Sequence, residues 1–81
     1  MSQSAVYAKL TDVLRDVFDD DELVATPQLT AADVDGWDSL SHIRLVLSVE
    51  RAFGIKLAAA DISGLKNVGE FADLISKRHA A

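Results

Sequence analysis

Three stretches of this chain place apolar residues at helical spacing, and they leave room for little besides helix packed on helix. Val6, Leu10, Val13, Leu14 and Val17 fall at i, i+4, i+7, i+8 and i+11, the buried stripe of a helix running from about Ser4 to Phe18. Leu45, Val46, Val49 and Phe53 repeat the pattern. Their helix is expected to begin at Asp38 or Ser39, either of which can cap free backbone amides, and to stop at Gly54, which accepts a left-handed conformation. Val68, Phe71, Ala72 and Ile75 form a third face, preceded by Asn67 and Glu70 in the spacing of a capping box. Basic Lys77, Arg78 and His79 suit the negative end of that helix dipole.

The connections are equally legible. Asp19-Asp20-Asp21-Glu22 puts four acids beside the negative end of the first helix, which disfavours continuation and reads as a solvated terminus. From Leu23 to Asp38 no period is sustained, and Thr26, Pro27, Thr30, Asp33, Asp35 and Gly36 are turn formers. This predicts a long ordered loop anchored by Leu29 and Val34. Ala58 to Leu65 offers one or two short helical turns, broken at Gly64. The expectation is an all-α fold, a small four-helix bundle of three long helices and one short one, with a long first loop. Residues 1–81, at 49% hydrophobic content, are enough for one small core and one domain, expected to be a monomer.

Charge and composition narrow the function. Thirteen acids against eight bases give a net charge of −5, which opposes binding to nucleic-acid phosphates and anionic lipid. The chain has no cysteine, so disulfides, thiolate ligands and cysteine nucleophiles are all excluded, and a reducing cytoplasm fits best. No leader-like apolar segment follows Met1, and no apolar run approaches the roughly 20 residues that span a bilayer.

Asp35-Gly36-Trp37-Asp38-Ser39-Leu40 is where function can be argued. It sets the Ser39 hydroxyl in the first turn of a helix, where unpaired amides and the dipole favour a phosphate ester on its oxygen. The neighbouring Asp38 carboxylate offers hard oxygens suited to Mg²⁺ beside a nucleotide pyrophosphate, and it serves equally well as a helix cap. Asp38, Ser39 and His42 contain the residue types of a hydrolytic triad, but neighbours on one helical turn do not supply its geometry. His42 reads better as a partly buried structural histidine, or as a contact for a group on Ser39. Asp33-Val34-Asp35-Gly36 lacks the outer carboxylates of a calcium loop, and two distant histidines without cysteine make no metal site.

Gly36-Trp37-Asp38-Ser39-Leu40 resembles the phosphopantetheine attachment motif of acyl and peptidyl carrier proteins, whose core is Asp-Ser-Leu. Glu50-Arg51-Ala52-Phe53-Gly54-Ile55 and Leu65-Lys66-Asn67-Val68-Gly69-Glu70 extend the likeness over nearly the whole chain. The resemblance implies a non-catalytic carrier. A phosphopantetheinyl transferase, using coenzyme A and Mg²⁺, would join 4′-phosphopantetheine to Ser39, and the terminal thiol would hold intermediates as thioesters. An acyl- or aminoacyl-loading enzyme and downstream synthase or tailoring enzymes are the further partners implied. A flexible arm of this kind raises effective concentration at each station without tight binding.

Leu40, Arg44, Leu47, Ser48 and Arg51 form a second stripe on the same helix at i, i+4, i+7, i+8 and i+11. A buried stripe does not carry two unpaired arginines, so this one is expected to be a docking surface. Leu40 and Leu47 are its apolar anchors, Arg44 and Arg51 its charges, and Trp37 stands beside it; the plainer alternative is a solvated face. The carriers of fatty-acid synthesis resembled here are rich in acids on this helix, whereas this one has Glu50 alone. With Trp37, that departure resembles freestanding carriers of polyketide or mixed polyketide and nonribosomal-peptide pathways. The alternatives are a peptidyl or aminoacyl carrier, and a helical protein-interaction module in which Ser39 is only part of a helix cap.

Overall fold

A computed structural model describes residues 2–80. Helices α1 (Gln3–Phe18), α2 (Ser39–Phe53), α3 (Ala59–Ile62) and α4 (Val68–Ala80) appear in that order, with no strand among the described residues. The all-α expectation of three long helices and one short one is met. α1 packs against both α2 and α4.

The three apolar stripes meet in the centre. Val6, Leu10, Val13 and Leu14 of α1, Leu45, Val46, Val49 and Phe53 of α2, and Val68, Phe71, Ala72 and Ile75 of α4 are all buried. Each fully buried leucine or isoleucine among them contributes about 1.5–3 kcal/mol of transfer free energy. Val17, predicted as part of the same stripe, is half-buried and packs on the edge of this core.

Local chemistry sets the ends. The Ser2 hydroxyl caps α1 by accepting from the Ala5 amide at 3.2 Å. Asp19 takes the left-handed conformation that ends it, at φ 51°. Arg15 Nε then donates to the Leu23 carbonyl at 2.7 Å, holding the departing chain against the helix. α2 ends at Gly54 with φ 67°, as its sequence predicts. At α4, Asn67 Oδ1 accepts from the Glu70 amide at 2.8 Å. The Glu70 carboxylate reaches the Lys66 amide at 3.0 Å and not that of Asn67, so the expected capping box is displaced by one residue.

The long loop is strapped down at several points. Ala25 is buried, and its amide donates to Thr11 Oγ1 of α1 at 2.9 Å. Val34 is buried and Leu29 half-buried against the core, as anchoring requires. Between them lies a 3₁₀ turn, Ala31–Asp33, closed by Asp33 Oδ2, which accepts from both the amide and the hydroxyl of Thr30. The loop also supplies the acceptors for the first two amides of α4, Val68 to the Leu29 carbonyl at 2.8 Å and Gly69 to the Pro27 carbonyl at 3.1 Å. A β-carbon on Gly69 would lie 2.9 Å from the Pro27 oxygen, so the crossing requires glycine there. Loop and α4 thus hold each other, and the chain is delivered to the start of α2.

Candidate functional site

The segment leading into α2 is a set of short-range hydrogen bonds that leaves one hydroxyl outward. Gly36, at φ 84°, makes the turn. Its carbonyl accepts from the Asp38 amide at 3.1 Å and from Ser41 Oγ at 2.7 Å. Asp38 is the N-cap: its Oδ1 accepts from the Ser41 amide at 2.9 Å, and its carbonyl accepts from the His42 amide at 2.9 Å. Ser39, the first helical residue, is exposed. Of the two serines in this turn, Ser41 is tied to Gly36 and Ser39 faces solvent.

The cap also fixes the local charge. The Ser41 amide, donating to the Asp38 carboxylate, is the largest cause holding that acid below its ordinary pKa of 3.8. An anionic carboxylate therefore stands beside the Ser39 hydroxyl throughout the neutral range. The other half of the imagined triad is directed elsewhere. His42 Nδ1 accepts from Trp37 Nε1 at 3.3 Å, and the two rings stack with centroids 6.3 Å apart.

Trp37 is half-buried, with its ring centroid 5.3 Å from that of Phe18 at the end of α1. It fastens the loop to the bundle and lines the site, and it does not stand among the exposed side chains of the α2 stripe. Trp37, Ser39, His42, Ile43, Ile62 and Leu65 border an open groove of roughly 640 Å³ between α2 and the α3 region. Ser39 is one of its lining residues, and the rest of the wall is mostly apolar, which leaves room beside the hydroxyl for an extended group.

The second stripe of α2 is exposed. Leu40 is 61% and Leu47 54% accessible; Arg44 and Arg51 are exposed too, and Ser48 is half-buried. Arg44, Leu47 and Arg51 share an open cleft with Asp16 and Val17 of α1. Ile43, which sequence reasoning did not single out, is 54% accessible. It lies one helical turn beyond Ser39, and that i+4 spacing was the available signal.

Comparison with known proteins gives this geometry its context. The family described as "Phosphopantetheine attachment site" matches residues 8–75. An acyl carrier protein of Syntrophobacter fumaroxidans is 28% identical over the full length of both chains. A meromycolate extension acyl carrier protein of Mycolicibacterium aurum is 29% identical over 94% of this chain and 78% of its own. The solution NMR structure of holo acyl carrier protein from Geobacter metallireducens superposes with a TM-score of 0.87 at 47% identity, covering 93% of this chain and 86% of that one.

The four-helix fold and the family match over residues 8–75 together define a non-catalytic carrier of a covalently held prosthetic arm. The chain belongs to the phosphopantetheine-binding acyl carrier protein family, whose cofactor is covalent 4′-phosphopantetheine and whose partners are a phosphopantetheinyl transferase and acyl-processing enzymes.

Proposed function

We propose that Ser39 Oγ is the atom that bears the 4′-phosphopantetheine arm, and that residues 1–81 work as one carrier domain handing thioester intermediates between enzymes. The observation that carries this reading is the exposed Ser39 hydroxyl at the capped start of α2, at the mouth of the groove. In the transfer, the Ser39 oxygen forms the new bond to the phosphorus that bears the pantetheine, as the pyrophosphate of coenzyme A is cleaved and adenosine 3′,5′-bisphosphate leaves with the bridging oxygen. The hydroxyl proton leaves to a base on the transferase. Asp38, held anionic by the Ser41 amide, is proposed to meet the Mg²⁺ that accompanies the pyrophosphate. Leu40, Arg44, Leu47 and Arg51 are proposed as the docking face, with Trp37 steadying the loop and bordering the arm.

The pathway is proposed as polyketide or mixed polyketide and nonribosomal-peptide synthesis, in the cytoplasm. Support comes from Trp37 in the attachment motif and from α2, whose single acid is Glu50. A fatty-acyl pathway is the second reading, favoured by the names of the relatives, which are general and meromycolate acyl carriers. The first test is intact-protein mass after incubation with coenzyme A, Mg²⁺ and a promiscuous phosphopantetheinyl transferase. Wild type should gain one phosphopantetheinyl mass and Ser39→Ala none. No gain in a folded, initially unmodified wild type would leave a helical interaction module as the better reading.

A further inference from the structure

We infer that the enzymes served by this carrier meet α2 with an acidic surface: two carboxylates about 10 Å apart, with an apolar socket between them. The inference rests on the reading of the Leu40, Arg44, Leu47, Arg51 stripe as the docking face, and it specifies the chemistry of the occupant.

The charges of α2 are Arg44, Glu50 and Arg51. Glu50 is committed inward: its carboxylate accepts from the Leu57 amide at 2.8 Å, which fastens the extended chain after Gly54. Arg44 and Arg51 are not neutralised in that way, since the single ion pair among the described residues joins Arg78 to Asp61. Asp16 of α1 faces the same cleft as both arginines but closes on neither. Lys56 also borders the open surface next to Leu47 and Arg51, alongside the Glu50 that is bonded to the Leu57 amide.

A chain of net charge −5 therefore carries a cationic strip along the helix that starts at Ser39. Guanidinium groups present paired N–H donors that match carboxylate geometry. Arg44, Leu47 and Arg51 lie at i, i+3 and i+7, on one edge of α2, so the arginines bracket the 54%-exposed Leu47. A basic partner would have to desolvate both arginines against like charge, and the acidic remainder of the molecule repels nucleic acid and anionic membrane. A protein surface with two carboxylates flanking an apolar pocket satisfies all three side chains at once.

The test uses the apo full-length chain, coenzyme A, Mg²⁺ and two probes: a phosphopantetheinyl transferase of known structure with a basic carrier-facing surface, and the same enzyme with those basic residues changed to Glu. Loading is followed by intact mass. Wild type should be loaded about tenfold more efficiently by the acidic-faced enzyme than Arg44→Glu/Arg51→Glu is, and the order should reverse with the basic-faced enzyme. Lys77→Glu, which makes on α4 the charge reversal that the double variant makes at each of its two positions, should behave as wild type with both. Circular dichroism checks that the variants are folded. Equal loading of all carriers by both enzymes, or a wild-type preference for the basic face, overturns the inference while leaving Ser39 as the attachment site. No mass gain with either enzyme overturns both.

Discussion

Trp37 Nε1 and His42 Nδ1 lie 3.3 Å apart, donor to acceptor, and so join the loop that precedes α2 to the first turn of the helix. The contact stacks on a second one, Trp37 against Phe18, so the residue two places before Ser39 is bound to both α1 and α2. Ser39 is thereby carried on a turn fastened from two sides, with no hydrogen bond of its own needed to place it.

That pairing should be measurable as a coupling. Trp37→Phe keeps an aromatic ring against Phe18 and removes the donor; His42→Leu keeps bulk and removes the acceptor. In a double-mutant cycle by urea unfolding, the two changes are expected to couple by about 1 kcal/mol, the usual net value of such a bond. Trp37 is the chain's one tryptophan, so its fluorescence should also respond to His42→Leu. Strict additivity with unchanged emission would mean that the bond contributes nothing in solution.

Asp38 predicts an acid limb. Its folded-state pKa is lowered by the Ser41 amide from the ordinary value of 3.8, so the folded chain favours the carboxylate more than the unfolded chain does. The resulting stabilisation is fully present above the ordinary value and is lost as pH falls through the lowered one. Asp38→Ala should drop the melting temperature by a few degrees at neutral pH through loss of the cap. Asp38→Asn should retain much of the capping and lose this part of the pH dependence. Thermal melts from pH 7 to pH 2 would show both effects, and parallel wild-type and Asn curves would contradict this account.

Gly69→Ala is expected to destabilise, against the usual helix-propensity gain for replacing glycine by alanine. The added carbon would sit 2.9 Å from the Pro27 oxygen and 3.2 Å from its α-carbon, both backbone atoms that cannot rotate away. Relief requires the loop to back off α4 and lengthen the Gly69 to Pro27 hydrogen bond. A cost of about 1–3 kcal/mol follows from overpacking of this kind, read as a lower urea midpoint at constant slope. A neutral or raised midpoint would show that the loop yields freely.

Much of this arrangement is legible in the amino-acid sequence. The stripes of α1, α2 and α4 named their own buried residues, because a helix with one covered face repeats its apolar positions over several turns. Gly54 marked the end of α2, because few other residues tolerate its positive φ. The Ala31–Asp33 turn was not legible, since three residues are too few to show a period. Asp19 was hidden in a run of four acids that local sequence does not tell apart for the left-handed position at the end of α1. Ile43 was missed because α2 carries apolar residues on more than one face, and only the placement of α1, α3 and α4 decides which stay uncovered. Trp37 could be placed beside the docking stripe from its position before Ser39, but its partners Phe18 and His42 come from two different helices, a convergence no local pattern encodes.

The Arg78–Asp61 pair yields the last prediction. Helix α3 has four residues, far below the length at which a helix holds itself together in water. Its supports are the partly buried Ile62 and the Asp61 carboxylate, which accepts from the Ala58 amide at 3.3 Å and pairs with Arg78 of α4. The Arg78 side chain is 44% accessible and that of Asp61 24%, so solvent screens the pair and its contribution to global stability is at most about 1 kcal/mol. Local opening is another matter, because an element with so few contacts opens without the core. Arg78→Ala should therefore speed amide hydrogen exchange across residues 59–65 by up to about fivefold, the equivalent of 1 kcal/mol, and leave the protection of Leu45 and Val49 unchanged. Since Ile62 and Leu65 wall the groove at Ser39, the same variant should loosen one side of that groove. Uniform acceleration along the whole chain would place the pair in the global fold instead, and no acceleration anywhere would leave Ile62 packing as what holds α3.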